Sequence, residues 1–485
     1  MTRIARITSA LSRAALGAAA GALALVLSDF APAEAQGVRL IRDTEIEAVM
    51  RGYTDPLLDA ANLDRDSVGF YLVGNNEFNA FVTRGQNIFM HTGAIVTAEN
   101  PNEIKAVIAH EIGHIEGAHL VRFSDGSRSA MATMIASLGL GIVAAMAGAA
   151  DAGAAIIASA PQFATLDLLR YTRNQEAAAD QAALTFLERT GQSGMGLVTT
   201  FERFRYQEVM SQARRYEYFR SHPLSAQRID AMRRRVDASP YRDVPDTPEE
   251  IATLSRIQAK IIGFTVAPAQ VFQRYPESDQ SVEGRYARSV AYYRQGRLEQ
   301  AREILATLIA DEPNNPFFHE LEGQMLYESG RIAESVVPHR IATEMMPEAP
   351  LLRVNLAASL IGTNDNAAIE EAISHLRFAL TEEPDNSWAW FQLALAHEAR
   401  GETSMAQLAT AERFFAVGNN MQAFVFANRA REDLNEGTPA WVRASELIAI
   451  AEPTPQEIRE WNRAQQERRQ YTPVARTEGA RLRFN

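Results

Sequence analysis

The sequence predicts a mainly α-helical protein with a small antiparallel sheet, in which an α+β domain is followed by an α-solenoid. Three observations support this fold class. Short apolar runs broken by Asn and Gly lie between residues 68 and 91, which is typical of strands and turns. Long helical patterns follow them. Beyond about residue 281, glycine and proline recur with a 34-residue period, which is typical of stacked helix pairs.

The first 35 residues are typical of a secretory signal peptide. Three arginines precede an apolar run at 14–27, and Ala33-Glu34-Ala35 supplies small residues before Gln36. We therefore expect cleavage near Ala35/Gln36 and a mature chain in a bacterial periplasm. The alternative, an N-terminal membrane anchor, fits the short apolar run and the small residues less well.

Composition narrows the function classes. The net charge of −12 disfavours a general role in nucleic-acid binding. The chain contains no cysteine, so a metal site cannot use thiolate ligands and the fold cannot use disulfides.

The central motif is His110-Glu111-Ile112-Gly113-His114, which reads H-E-x-x-H. Two histidines four positions apart lie on one face of a helix and can direct their imidazoles at one metal ion. Glu111 lies on the next position, where it can reach a metal-bound water as a general base. The motif also arises by chance in long chains, so it predicts a zincin-like hydrolase site only if a third ligand exists.

The third ligand is predicted in a second helical pattern, at Glu176. Glu176 and Asp180 are four residues apart, so a carboxylate ligand and a hydrogen-bond acceptor for a ligating imidazole can share one helix face. An exposed acidic helix face would give the same spacing, but the upstream motif makes the pair more specific. His119 is one residue away from the position at which a different zincin pattern places its third histidine, so we do not expect it to bind the metal.

Two further segments could contribute to this site. His222 precedes Pro223, so it lies in an extended or turn segment, and Ser225 can cap the helix that follows. His222 could be a structural histidine, a substrate contact, or a fourth ligand that blocks the open metal position. The predicted strand that contains Asn79, Ala80 and Phe81 could bind extended substrate along its edge, or could simply complete the sheet.

The stretch from Ala130 to Ala150 carries no charge and is long enough to span a bilayer. A single crossing would place the two halves of the predicted metal site on opposite sides of the membrane. We therefore expect a helical hairpin over 130–160, buried or at the surface, whose small apolar side chains could make a peripheral membrane contact.

These motifs together resemble the zinc metallopeptidases of the HtpX and CAAX-prenyl-protease type. The resemblance covers roughly residues 40–235 and depends on the order of H-E-x-x-H, Glu176-x-x-x-Asp180 and Ser221-His222-Pro223 with Arg228. It implies one Zn²⁺ per chain held by His110, His114 and Glu176, with Glu111 as the catalytic base. Ala178 departs from the pattern, because relatives often carry a second Glu there.

The second half of the chain predicts tetratricopeptide repeats. Gly296 and Gly330 are 34 residues apart, and each precedes a proline by 17 residues. Helix pairs of this kind bury their faces only by stacking and usually offer a concave surface to a partner. The predicted organisation is a signal peptide (1–35), a metallopeptidase domain (36–235), a connector (236–280), a repeat domain (281–450) and a loosely ordered basic tail (451–485).

The resemblance to the soluble periplasmic branch of this family implies a zinc endopeptidase in outer-membrane protein quality control. It would hydrolyse misassembled proteins, while the repeats recruit outer-membrane assembly proteins. The alternative is a chaperone or adaptor that acts mainly through repeat-mediated binding and keeps a latent zinc site.

Overall fold

The computed structural model describes residues 40–83, 86–146, 150–210, 222–223, 225–461 and 463. The predicted signal peptide and most of the predicted basic tail lie outside these residues. The described chain is mainly helical with one small sheet, and consecutive helices form a solenoid-like C-terminal region, so the predicted fold class is confirmed. None of the described helices combines the length and apolarity that a membrane crossing requires.

The elements of the N-terminal half are β1 (Leu40–Ile41), α1 (Thr44–Ala60), β2 (Gly69–Val73), β3 (Ala80–Thr83), β4 (Asn87–His91), α2 (Thr92–Thr97), α3 (Pro101–Glu116), α4 (His119–Met146), α5 (Ala150–Arg189), α6 (Met195–Met210) and α7 (Ala226–Asp237). Two helices follow, α8 (Pro248–Thr265) and α9 (Pro268–Arg274). The C-terminal helices are α10 (Val282–Arg294), α11 (Leu298–Asp311), α12 (Pro316–Glu328), α13 (Ile332–Met345), α14 (Pro350–Gly362), α15 (Asn366–Glu382), α16 (Ser387–Ala399), α17 (Thr403–Ala416), α18 (Asn420–Asp433) and α19 (Pro439–Ile450).

The sheet is mixed, which corrects the antiparallel sheet expected from the sequence. Its strand order is β1-β2-β4-β3, with β2 parallel to β4 and the other neighbours antiparallel. The chain reverses between β2 and β3 and again between β3 and β4. Because β4 rather than β3 pairs with β2, these two strands run in the same direction. β3 is the outer strand of the described sheet on this side.

The sheet and the surrounding helices enclose one core. Leu57 of α1, Ile88 of β4, Ile108 of α3, Leu187 of α5 and Phe201 of α6 are all fully buried in it. Helix α3 lies at its centre, because the four residues before the H-E-x-x-H motif, at 106–109, are apolar and buried. The packing of this helix in the core therefore fixes the position of the two histidines of the motif.

Helices α4 and α5 form the hairpin expected from the apolar stretch. The Tyr171 hydroxyl donates to the Arg122 carbonyl at 2.8 Å, and the Ser129 hydroxyl donates to Asp167 Oδ2 at 2.7 Å. These contacts join the start of α4 to the second half of α5, so the two helices run antiparallel. The hairpin extends from the helix that carries Glu176.

The C-terminal helices occur as consecutive pairs. The first helix of each pair begins at residues 282, 316, 350, 387 and 420, so the 34-residue spacing holds twice and is then stretched by a longer α15. Gly296, Gly330 and Gly401 follow the first helices with φ between +71° and +78°, where glycine ends a helix without steric strain. The expected period is thus present as repeated helix-turn-helix units.

Helix α8 joins the two halves of the described chain. Its Leu254, Ile257 and Ile261 lie in the N-terminal core, whereas Ala259 and Ile262 pack against Ala287 and Ala291 of α10, with Val271 of α9. The segment expected to be a connector is therefore a helix buried on two sides. Helix α8 therefore packs against both the N-terminal half and the first of the C-terminal helix pairs, and is not a flexible linker.

A buried ionic cluster links the start of α1 to the second half of the chain. Glu45 is fully buried and accepts from Arg256 Nε at 2.6 Å and from the Tyr286 hydroxyl at 2.9 Å. Lys260 Nζ lies 3.3 Å from the same carboxylate and 2.8 Å from Asp43 Oδ2. Buried charges are tolerated when they are paired in this way, so the cluster fixes the relative position of the two halves.

Candidate metal centre

Helix α3 begins at a well-formed N-cap. The Asn100 side chain accepts from the Glu103 amide at 3.0 Å, and Pro101 occupies the first helical position, where no backbone donor is needed. The helix then runs without a break to Glu116, so His110 and His114 lie one turn apart on the face directed at α5.

A close crossing of two helices brings Glu176 to this face. A Cβ atom added at Gly113 would lie 2.8 Å from the Ala179 carbonyl oxygen and 3.0 Å from its Cα, so only glycine allows α3 and α5 to approach this closely. Ala179 lies between Glu176 and Asp180 in α5. The glycine inside the H-E-x-x-H motif therefore sets the distance at which both carboxylates face the two histidines.

His110, His114, Glu176 and His222 form one buried cluster whose ligand atoms all lie within 4.8 Å of one another. The Nε2 atoms of His110 and His114 are 3.1 Å apart, and His110 Nε2 lies 3.3 Å from His222 Nδ1. Glu176 Oε1 lies 3.4 Å from His114 Nε2 and 3.0 Å from His222 Nδ1. In a tetrahedral zinc site with bonds of about 2.0–2.1 Å, neighbouring ligand atoms are about 3.3–3.4 Å apart, so these residues fit a zinc ion.

The structure places His222 in the position of a fourth ligand. Its segment enters α7, whose N-cap Ser225 accepts from the Arg228 amide at 3.2 Å, as expected from the sequence. His222 is 6% exposed, and its Nε2 lies 3.6 Å from Glu111 Oε1. His222 is thus close both to the other cluster residues and to the predicted catalytic base.

Asp180 and Arg228 hold the cluster from the opposite side. Asp180 Oδ1 lies 3.1 Å from His110 Nδ1, and Arg228 donates to both Asp180 oxygens at 2.7 and 2.8 Å. Arg228 Nη1 also lies 3.0 Å from Glu176 Oε2. The arginine therefore orients both carboxylates of α5, and Asp180 can fix the tautomer in which His110 presents Nε2 to a metal.

Glu111 is fully buried beside the cluster, and no hydrogen bond from the described residues reaches either of its oxygens. Burial raises the pKa of Glu111, while the charges of His222 and His110 partly offset this effect. A carboxylate with a raised pKa and free oxygens next to a metal position is suited to accept a proton.

The electrostatics favour a positive charge at the centre of the cluster. Burial alone lowers the pKa of His110, but hydrogen bonds to Asp180 and Glu176 outweigh burial and raise that pKa to about 10. Burial raises the pKa of Glu176, but hydrogen bonds to His110 and His222 hold it well below its usual range. A divalent cation can take the place of the His110 proton, because ligating imidazoles are neutral.

The predicted substrate strand lies close to the motif helix, because β3 packs beside α3. Ala80 is fully buried, Asn79 is nearly so, and the Phe81 ring stacks on Phe89 of β4 at 5.3 Å between centroids. The Asn79 carbonyl accepts from the His91 amide at 2.9 Å. These side chains are thus used for packing.

Two contacts of the site did not follow from the sequence. His119 is not among the four clustered residues, but its Nδ1 is 2.9 Å from His114 Nδ1, so it can orient that ring. The sequence analysis named Arg228 only for the family resemblance and did not predict its contact with Glu176. His119 reaches His114, five residues before it, because the chain bends at Ala118, where φ is +51°.

Comparisons with known proteins agree with this geometry. Residues 41–236 match the model of Peptidase family M48. The beta-barrel assembly-enhancing protease of Escherichia coli (strain K12) is 25% identical over 403 residues, which cover 82% of this chain and 81% of that protein. The protein of the same name from Yersinia pestis is 24% identical over 392 residues, or 79% of each chain.

A shorter relative matches only part of the chain. The metalloprotease LoiP of Escherichia coli (strain K12) is 29% identical over 183 residues, which cover 36% of this chain and 66% of that protein. The similarity therefore extends to proteases with and without a match to the rest of this chain. Residues 41–236 are a metallopeptidase domain, and the whole chain resembles the beta-barrel assembly-enhancing protease.

Proposed function

We propose that this chain is a periplasmic zinc-dependent endopeptidase that takes part in the quality control of outer-membrane proteins. One zinc ion is held by His110, His114 and Glu176. The observation that carries the proposal is the convergence of these three residues from two helices at tetrahedral ligand spacing, with Glu111 buried next to them. The predicted signal peptide at 1–35 and the similarity to the beta-barrel assembly-enhancing protease support the compartment and the substrate class.

The residues divide the chemistry among them. A zinc ion held by His110, His114 and Glu176 would supply Lewis-acid chemistry for the hydrolysis. Glu111 accepts the proton of that water and passes it to the nitrogen of the departing amine. Asp180 and Arg228 keep His110 and Glu176 in place, so that the ligand geometry does not relax during turnover.

His222 acts as a gate in this proposal. All four members of the cluster are buried, and His222 offers a fourth possible ligand atom, which supports this closed arrangement. Hydrolysis requires His222 to withdraw so that a substrate carbonyl can take its place. The enzyme is therefore latent until substrate or a partner shifts this histidine.

The remaining parts have supporting roles. Extended substrate pairs with the outer edge of β3 beside Asn79, Ala80 and Phe81, through backbone hydrogen bonds. The helix pairs act as tetratricopeptide repeats, in a repeat domain at 281–450, and recruit outer-membrane assembly proteins. The metallopeptidase domain spans 36–235, with α8 and α9 of the connector (236–280) between the two, and the basic tail (451–485) follows the repeats.

The test is the variant Glu111→Gln, with Glu116→Gln as a matched control. Both residues are on α3, but Glu116 is exposed at its end. With an unfolded protein as substrate, Glu111→Gln should lower the hydrolysis rate by at least about 100-fold while zinc content stays equal to wild type. Glu116→Gln should retain activity. Equal hydrolysis by both variants would contradict the proposed role of Glu111.

The second candidate function is a chaperone or adaptor that acts through the repeats with a latent zinc site. The burial of all four cluster residues and the long array of helix pairs favour it. The two functions are separated in cells that lack the protein. Full rescue of outer-membrane assembly by Glu111→Gln indicates binding as the main function, whereas loss of rescue with normal protein levels indicates proteolysis.

A further inference from the structure

The hairpin of α4 and α5 displays an unusual number of large apolar side chains to solvent. Of the twenty exposed large apolar side chains of the described residues, eight lie between residues 121 and 169. Leu140 is 65% exposed, Ile135 62% and Leu166 59%. Scattered exposed apolar residues are ordinary, but a concentration of this kind on one element marks an interaction surface.

The contact between the two helices is, in contrast, partly polar and made by small residues. The Ser129 and Thr133 hydroxyls both donate to Asp167 Oδ2, at 2.7 and 3.2 Å, and small residues such as Ala130 and Ala160 are buried in the described part of the hairpin. A hairpin stable in water turns its largest apolar side chains inward. Small residues and hydrogen bonds between helices, with large apolar residues outside, are the arrangement that lipid favours.

Charged residues are few along most of the hairpin, and arginines are concentrated at its base. Between Arg128 and Arg170, the sequence contains only two charged residues, Asp151 and Asp167. At the base, Arg122, Arg128, Arg170 and Arg173 are all exposed. From Arg128 to Met146, α4 is about 27 Å long at 1.5 Å per residue. A long apolar end above a band of arginines is complementary to a bilayer with anionic headgroups.

We propose that the α4–α5 hairpin inserts into the surface of an anionic lipid bilayer. The apolar side chains enter the acyl region, and the four arginines contact the phosphate groups. The exposed apolar residues lie on both α4 and α5. A lipid surface can cover both helices, whereas a protein groove would cover mainly one of them. The hairpin is longer than one leaflet, so it enters at a tilt.

Insertion brings the metal cluster close to the membrane. Arg170 precedes Glu176 by six residues of one helix, or about 9 Å along its axis. The cluster therefore lies just outside the headgroup layer when the arginines contact phosphate. This inference goes beyond the proposed function and does not depend on it, because the hairpin binds lipid whether or not the site is catalytic.

The first experiment measures binding of the mature chain to vesicles by flotation. Wild type should bind vesicles of phosphatidylglycerol and phosphatidylethanolamine, and bind phosphatidylcholine vesicles more weakly. The variant Ile135→Gln/Phe163→Gln/Leu166→Gln should lower the partition coefficient by at least about 100-fold. The control Val337→Gln/Val417→Gln/Val442→Gln, at exposed sites on the repeats, should bind as wild type does. Equal binding by both triple variants would overturn the proposal.

The second experiment reports the position of the hairpin itself. The chain has no cysteine, so Phe163→Cys accepts a single environment-sensitive fluorophore, with Val337→Cys as the control. Anionic vesicles should raise and blue-shift the emission of the label at residue 163 but leave the label at residue 337 unchanged. An unchanged label at residue 163 would overturn insertion. A dimer in solution that the Gln triple variant converts to monomer would instead assign the surface to a second copy of the chain.

Discussion

The substitution Gly113→Ala tests the helix crossing on which the metal centre depends. The added Cβ would lie 2.8 Å from the Ala179 carbonyl oxygen and 3.0 Å from Ala179 Cα, and neither backbone atom can rotate away. The helices must therefore separate by several tenths of an ångström. Overpacking of this kind costs about 1–3 kcal/mol of the free energy of unfolding, against a gain of about 0.5–1 kcal/mol from replacing glycine in a helix.

The same separation moves Glu176 away from both motif histidines. We expect the zinc affinity of Gly113→Ala to fall by at least about tenfold, since the ligand geometry is set by this crossing. The assays are urea unfolding of the metal-free protein and zinc competition with a chromophoric chelator.

Gly52→Ala is the matched control for this prediction. Gly52 is also within a helix, α1, but no atom lies within 4 Å of the position that its Cβ would occupy. This variant should be as stable as wild type or more so, and should bind zinc normally. The reasoning is refuted if Gly113→Ala and Gly52→Ala have the same stability and the same zinc affinity.

Two other predictions concern the gate and the buried cluster between the halves. His222→Ala should raise basal hydrolysis of an unfolded protein severalfold, because the fourth position no longer has to be vacated; lower activity with zinc retained would count against gating. Glu320 of α12 extends this cluster, because it accepts from the Thr44 hydroxyl at 2.6 Å, and burial raises the pKa of Glu320 to about 7, against the attraction of Lys260. Because this pKa is raised above that of the unfolded chain, about 4.3, the contribution to stability is complete below about pH 4.3 and is lost as pH rises through 7. In urea unfolding, Glu320→Gln should therefore gain about 2 kcal/mol relative to wild type between about pH 5.5 and about pH 8, and a constant difference would contradict this account.

The parts of the site that local spacing determines were predictable. Residues four apart share a helix face, so the pairs His110 with His114 and Glu176 with Asp180 followed from the sequence. The cap Ser225 followed for the same reason, because its partner Arg228 is three residues away. Local rules fix these contacts whatever the rest of the chain does.

The parts that depend on contacts distant in sequence were not predictable. The parallel pairing of β2 with β4 requires that β3 lie outside β4, which no local pattern specifies. The ionic cluster joins Glu45 to Arg256 and Tyr286 across more than 200 residues. Charged residues at such positions look like an ordinary solvated helix face until packing removes them from water. The role of α8 as a buried bridge was hidden in the same way by the prolines around it.

The most direct test of the account is the zinc content of the purified mature chain, with wild type measured beside Glu176→Gln. The account predicts one zinc per chain in the wild type and a lost or strongly weakened zinc in the variant, because Glu176 supplies one of three ligands. Full zinc content in Glu176→Gln would contradict this ligand set and would require His222 or another residue in its place. No zinc in either protein would contradict the proposed metal centre altogether.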